Sequence, residues 1–226
     1  MFDFDSVKAV IFDVDGTLMD SVGRIIKTMR LSFQNLGLAE PDTVSIKNII
    51  GLSMKEVAEK LLPEASEELR SALIASYKKI YTELEDREPT ELFSDALPVL
   101  RKLRGKGYRT GLATGKSRRG CVRVLESYGL SPLIDVSVAG DEYPSKPAPD
   151  MLLAAAGALG LPVSSCLMVG DSALDLGMAR KAGMPSAGVL TGVHGRERLA
   201  ALNPAAIVGS LSELVELILG DAGGKS

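Results

Sequence analysis

In 226 residues the sequence has no tryptophan, one histidine and two cysteines. The thiols, Cys121 within a helical pattern and Cys166 at the head of an apolar run, are too few for a disulfide framework. With a single histidine beside them, they also leave zinc short of soft ligands. Reduced thiols fit a cytoplasmic protein. There is no large excess of either charge, Lys plus Arg totalling 26 against 29 Asp plus Glu. With aromatics sparse as well, no nucleic-acid footprint is expected. Repeats and low-complexity tracts are absent. The longest apolar stretch, near Met151 to Val163, is interrupted by Gly and Pro, and Met1 to Asp5 is acidic where a secretory signal would be basic. No membrane contact or export is therefore expected.

The chain is long enough for one ordinary domain and a smaller one. It is organised around Val7 to Ser21, V-K-A-V-I-F-D-V-D-G-T-L-M-D-S. Val, Ile and Phe make the first half a buried strand, which runs into Asp13, Asp15, Gly16 and Thr17. Residues two apart on a strand share a face, but Gly16 can bend the backbone, so the two acids can approach one point from different directions. One could then attack while the other handles protons.

Ser21 is the expected N-cap of a helix over Val22 to Leu36, with Ile25, Ile26, Met29 and Phe33 on one face and Gly37 as its stop. Helical patterns continue over Val44 to Ile50, Met54 to Leu62 and Glu67 to Leu84. From Ser94 the order alternates. Helices are expected over Ala96 to Lys106, Arg118 to Tyr128, Asp150 to Leu159, Ala173 to Ala182 and Leu211 to Leu219. Strands are expected over Tyr108 to Thr114, Val136 to Gly140, Cys166 to Gly170, Ser186 to Leu190 and Ala206 to Val208. The fold expected is α/β, a doubly wound parallel sheet of Rossmann-like type. An all-helical cap, residues 19–87, is inserted after the first strand; residues 1–18 and 88–226 form the core.

Three further clusters fall just past expected strands. Thr114 and Gly115, followed by Lys116 and Ser117, offer a hydroxyl and backbone N–H groups to phosphate oxygens. Gly111 to Ser117 imitates a nucleotide-binding loop, but the spacing is one residue short and Gly111 lies inside the strand. Lys146 stands in a proline-stiffened loop, where an ammonium near two carboxylates could neutralise them and grip a phosphate. Asp171, Ser172 and Asp175 open a helix. Two carboxylates about 4 Å apart repel by roughly 4 kcal/mol at an effective dielectric near 20, so four acids in one crevice call for a cation. Hard oxygen donors without Cys or His favour magnesium.

D-V-D-G-T-L-M-D-S, A-T-G-K, S-K-P-A-P-D and V-G-D-S-A-L-D-L resemble, in order, the four motifs of the haloacid dehalogenase-like hydrolase superfamily. The insert resembles the cap of its phosphoglycolate phosphatase-like branch. That resemblance implies Asp13 as the nucleophile attacking phosphorus and Asp15 as general acid and base. It implies magnesium on Asp13, the Asp15 carbonyl and Asp171, and phosphate bound by Thr114, Lys146 and amides near Gly16 and Thr17. Asp175 would orient Lys146 or the metal's waters, with Ser172 behind it. The true dehalogenases lack an acid at the position of Asp15. The expected partner is a small phosphorylated metabolite, with 2-phosphoglycolate the leading candidate. The rivals are a sugar phosphomutase of β-phosphoglucomutase type, which Thr17 disfavours, a receiver-like module, and a non-catalytic scaffold.

The remaining polar residues have plainer readings. Lys116, Arg118 and Arg119 are expected to form a solvated face, and His194 to lie in a loop with no triad role. Ser53 and Glu56 form S-x-x-E, a capping-box pattern; that helix start, with Lys55, could instead recognise a second anionic group on the substrate.

Overall fold

A computed structural model describes residues 2–220. Six parallel strands, β1 (Ala9–Phe12), β2 (Arg109–Thr114), β3 (Val136–Ala139), β4 (Cys166–Gly170), β5 (Ser186–Val189) and β6 (Ala206–Val208), form one sheet in the order β3-β2-β1-β4-β5-β6. The central strand β1 pairs in register with β2 and β4, Phe12 lying opposite Leu112 and Val169. All four of its residues are buried. Val10 and Phe12 join one apolar layer, while Ala9 and Ile11 join the other. This is why the strand reads as a continuous hydrophobic run.

Four helices follow β1: α1 (Val22–Asn35), α2 (Thr43–Lys47), α3 (Met54–Leu61) and α4 (Glu67–Arg87). They close on their own apolar cluster, built from Met29, Phe33, Ile46, Val57, Ala58 and Leu73. Six more helices cover the sheet: α5 (Ala96–Gly105), α6 (Arg118–Ser127), α7 (Asp150–Leu159), α8 (Ala173–Ala182), α9 (Arg196–Ala200) and α10 (Leu211–Leu219). The two connections to the helical cluster run side by side, with Met19 bridging Leu92 and Asp20 N–H donating to Glu91 O. Among the described residues no helix is long and apolar enough to cross a membrane.

Where the elements depart from expectation, local chemistry gives the reason. α2 stops at Lys47 because Ile49 and Ile50 turn inward to bury their side chains ahead of Gly51, whose φ is +99°. α4 runs on past Leu84 to Arg87, and ends only where Glu88 must be extended before Pro89. α9 is unforeseen, since five residues with only Leu199 buried carry no readable period. Ser21 does flank α1, but it makes no side-chain cap. Its hydroxyl is used elsewhere.

Candidate active site

The carboxyl ends of β1, β2 and β4 converge where the strand order reverses, the usual place for a ligand site in such a sheet. Asp13 follows β1 directly, its N–H donating to Val169 O of β4. Asp171 follows β4. Lys146 reaches them from the loop between β3 and α7, with its side chain 0% exposed. Its Nζ lies 2.7 Å from Asp13 Oδ1 and 2.6 Å from Asp175 Oδ1. Carboxylate oxygens of Asp13, Asp171 and Asp175 all come within 4.8 Å of one another.

Each acid is fixed differently. Asp175 completes a capping box at the start of α8, its Oδ2 accepting from Ser172 N–H at 3.1 Å and from Ser172 Oγ at 2.5 Å. The helix start thus fixes the Asp175 carboxylate, whose other oxygen meets Lys146. Asp171 accepts from Thr17 Oγ1 at 2.9 Å and from Val193 N–H at 2.8 Å, one bond on each oxygen. That leaves each oxygen a lone pair. Lys146 occupies Asp13 Oδ1 and leaves Oδ2.

Burial holds the Asp13 carboxyl well above the ordinary range, against the pull of Lys146 and aided by the charges of Asp175, Asp171 and Asp15. Burial, then the charge of Asp175, pushes Asp171 up to about 7. Burial works against the Lys146 ammonium, yet Asp13 and Asp175 keep its pKa above the usual value. The cluster thus holds more negative charge than Lys146 balances. Hard oxygen donors, free lone pairs and elevated carboxyl pKa values fit a divalent cation held by Asp13 and Asp171. Asp175 is already committed to Lys146 and Ser172.

Gly16 is required twice over. Its φ is +82°, and a Cβ there would stand 2.5 Å from Asp171 Oδ2. Its N–H donates to Met19 O at 2.8 Å, and Thr17 N–H points to Val14 O at 3.3 Å, so these two amides are engaged in the turn and do not form the expected cradle. Thr17 contributes its hydroxyl to Asp171 instead. Thr114 is buried at the end of β2, its Oγ1 accepting from Lys116 N–H at 3.2 Å. The connection after α2 packs tightly against Gly115, since a Cβ there would meet Gly51 O at 2.4 Å.

Asp15 lies apart from the other three acids. Its Oδ1 accepts from Ser21 Oγ at 2.5 Å, which is why Ser21 makes no cap, and lies 2.8 Å from Lys116 Nζ. Lys116 is therefore not part of a solvated face. Its side chain is 11% exposed, and its ammonium sits 5.2 Å from the centroid of the Tyr81 ring. The spacing of charges in K-S-R-R could not show this, because Lys116 precedes the helix that carries Arg118 and Arg119. Those two match expectation better: Arg118 is tied to Glu142 and Ser137 at the protein surface, and Arg119 is exposed.

His194 is a loop residue with a local task. Its Nδ1 accepts from Ala173 N–H at 2.9 Å at the start of α8, and burial lowers its pKa. Ser53 caps α3 through Glu56 N–H, but the reciprocal half of the box does not form, because Ser53 N–H donates to Ser145 Oγ at 2.8 Å. Ser53 thus joins α3 to the loop of Lys146. Lys55 is exposed, with no bond to the acid cluster among the described residues.

Residues 10–189 match the model of the haloacid dehalogenase-like hydrolases. The chain belongs to that family. It is 33% identical over 210 residues to a Dickeya dadantii protein named "Probable phosphatase IndB", with 91% of each chain covered. It is 32% identical over 214 residues to a Cupriavidus necator protein named "Phosphoglycolate phosphatase, plasmid", covering 93% of this chain and 92% of that one. A crystal structure described as a predicted phosphatase from Clostridium acetobutylicum superposes with a TM-score of 0.82 at 27% identity, covering 95% of this chain and 99% of the other. The haloacid dehalogenase-like assignment thus rests on nearly the full length.

Proposed function

We propose that this hydrolase is a magnesium-dependent phosphatase of small phosphomonoesters, working through an aspartyl phosphate, with 2-phosphoglycolate its leading substrate. The observation that carries the reading is the Asp13–Lys146–Asp175 chain beside Asp171, in a chain whose relatives are named phosphatases.

Asp13 Oδ2, the oxygen not engaged by Lys146, attacks phosphorus as the ester P–O bond breaks, and Asp15 gives its proton to the departing alcohol oxygen. Water then attacks the phosphoryl group, Asp15 takes its proton, and Asp13 is released with inorganic phosphate. Lys146 holds Asp13 in line and offers charge to the phosphoryl oxygens, while Thr114 and Gly115 bind the same group. Asp175 fixes Lys146, and Thr17 with Val193 N–H fixes Asp171. Magnesium, held by Asp13, Asp171 and the Asp15 carbonyl, would neutralise phosphate charge and orient it for in-line attack. Helices α1–α4 act as a cap that closes through the Gly51–Gly115 and Ser53–Ser145 contacts. Two buried free thiols support a reducing, cytoplasmic setting.

The test is release of inorganic phosphate from a panel of phosphorylated metabolites with and without magnesium, together with acid-stable trapping of phosphate on Asp13. Isomerised sugar phosphate without free phosphate would replace this reading by the mutase.

A further inference from the structure

The two lysines of the site are unlike each other. Lys146 is shared by two carboxylates and fully enclosed. Lys116 has one carboxylate, Asp15 Oδ1 at 2.8 Å, and its other contacts come from α4: Tyr81 OH at 3.4 Å and the Tyr81 ring at 5.2 Å. Tyr81 is itself stacked on Tyr77, with centroids 5.8 Å apart. An ammonium within about 6 Å of a ring face is held by the ring quadrupole, so α4 pins the Lys116 head beside Asp15.

We propose that Lys116, roofed by Tyr81, is the specificity-determining residue that binds an anionic group on the alcohol half of the substrate, one carbon from the ester oxygen. The inference rests on the phosphatase reading with Asp15 as the acid. To protonate the leaving oxygen, Asp15 must come within a hydrogen bond of it, about 2.7 Å. Lys116 Nζ is 2.8 Å from the same carboxylate. A carboxylate borne on the first carbon therefore falls within reach of Nζ, and the Tyr81 hydroxyl can donate to it as well. Both donors of Asp15, Ser21 Oγ and Lys116 Nζ, sit on Oδ1, so Oδ2 remains for proton transfer while Lys116 engages the substrate. An alcohol without an anion leaves Lys116 with Asp15 alone. Lys55, exposed and unconnected to the cluster, is not needed for this selectivity.

Three phosphomonoesters on the same two-carbon frame test it: 2-phosphoglycolate, 2-hydroxyethyl phosphate and phosphoethanolamine, each with the magnesium-loaded full chain. For the wild type, kcat/KM is expected to fall in the order carboxylate, hydroxyl, ammonium, the first step by about tenfold or more, as for loss of one charge-assisted hydrogen bond. Lys116→Met slows all three through its contact with Asp15. The readout is the ratio of carboxylate to hydroxyl substrate, expected to collapse to about one through KM, and to be restored in Lys116→Arg. Glycolate should also compete with p-nitrophenyl phosphate on the wild type where ethylene glycol does not, a measurement that needs no variant. An unchanged ratio in Lys116→Met, or no carboxylate preference in a wild type that turns over the other esters, overturns the inference and leaves the phosphatase standing. Hydrolysis of none of the esters overturns both.

Discussion

Replacing Lys146 by methionine removes one charge from a site that already holds too many of the opposite sign. Methionine matches the apolar stem and lacks only the terminal Nζ, so the main effect is loss of the charge. At an effective dielectric near 20, each contact of 2.6 to 2.7 Å amounts to about 6 kcal/mol of gross attraction, most of it offset by desolvation. Deleting one partner of a buried pair costs about 3–5 kcal/mol, because the remaining charge is stranded. For a chain of this size, that is a loss of about 6–20 °C in Tm. The sign of the pH dependence separates this from a packing defect. The folded variant should bind a proton at Asp13 more readily than the wild type does, while unfolded carboxyls stay ionised down to about pH 4. The deficit should be full at pH 8 and shrink by at least about 1 kcal/mol at pH 5.5. Urea unfolding in EDTA at both pH values measures it. A deficit below about 1 kcal/mol at pH 8, or one of equal size at both, would refute the charge argument.

Asp13→Asn should abolish both turnover and covalent labelling, whereas Asp15→Asn should lose turnover of poor leaving groups and still label Asp13 from an activated ester; equal labelling of both variants would remove Asp13 as nucleophile. The metal-free wild type should lose stability as pH rises from about 5 to 8, since the folded Asp171, with its pKa raised to about 7, and the raised Asp13 keep protons that the unfolded chain has already released. Magnesium at one hundred times its dissociation constant should add about 2.7 kcal/mol at pH 8, most of it lost in Asp171→Ala, and identical melting with and without the ion would reject the site. Gly16→Ala forces a side chain into a left-handed backbone, at roughly 1–2 kcal/mol, and onto the Asp171 carboxylate. It should cut kcat/KM at least tenfold, and wild-type kinetics would show that the turn can yield.

The sheet was legible because its strands are short and separated by turns or helical patterns: β4, α7, α8, β6 and α10 begin and end where the sequence pattern places them. Boundaries drifted where burial of a turn or a downstream proline decides, as at Ile49–Ile50 and Pro89, for neither is a periodic signal. Asp13 and Asp171, just past strand ends, and Lys146 and Asp175, from the loop and the helix beyond such ends, meet because a parallel sheet brings its carboxyl ends together. What pattern alone does not convey is hydrogen-bond assignment. Gly16 and Thr17 look like free amides until the turn takes them, Ser21 looks like a cap until Asp15 takes its hydroxyl, and Lys116 looks solvated until α4 closes over it.

These reassignments share one cause. Asp13 and Asp15 follow β1 while Asp171 and Asp175 follow β4, and had all four met at one point, each like pair would have cost several kcal/mol. The structure divides them. Asp13, Asp171 and Asp175 gather beside Lys146, while Asp15 makes a separate ion pair with Lys116. The first group keeps an uncompensated negative charge, which suits a cation and raises its carboxyl pKa values; the second is locally neutral, so its acid is not governed by the same cation. Two acids two residues apart in sequence thereby sit in different electrostatic surroundings, as the proposed division between nucleophile and proton donor requires.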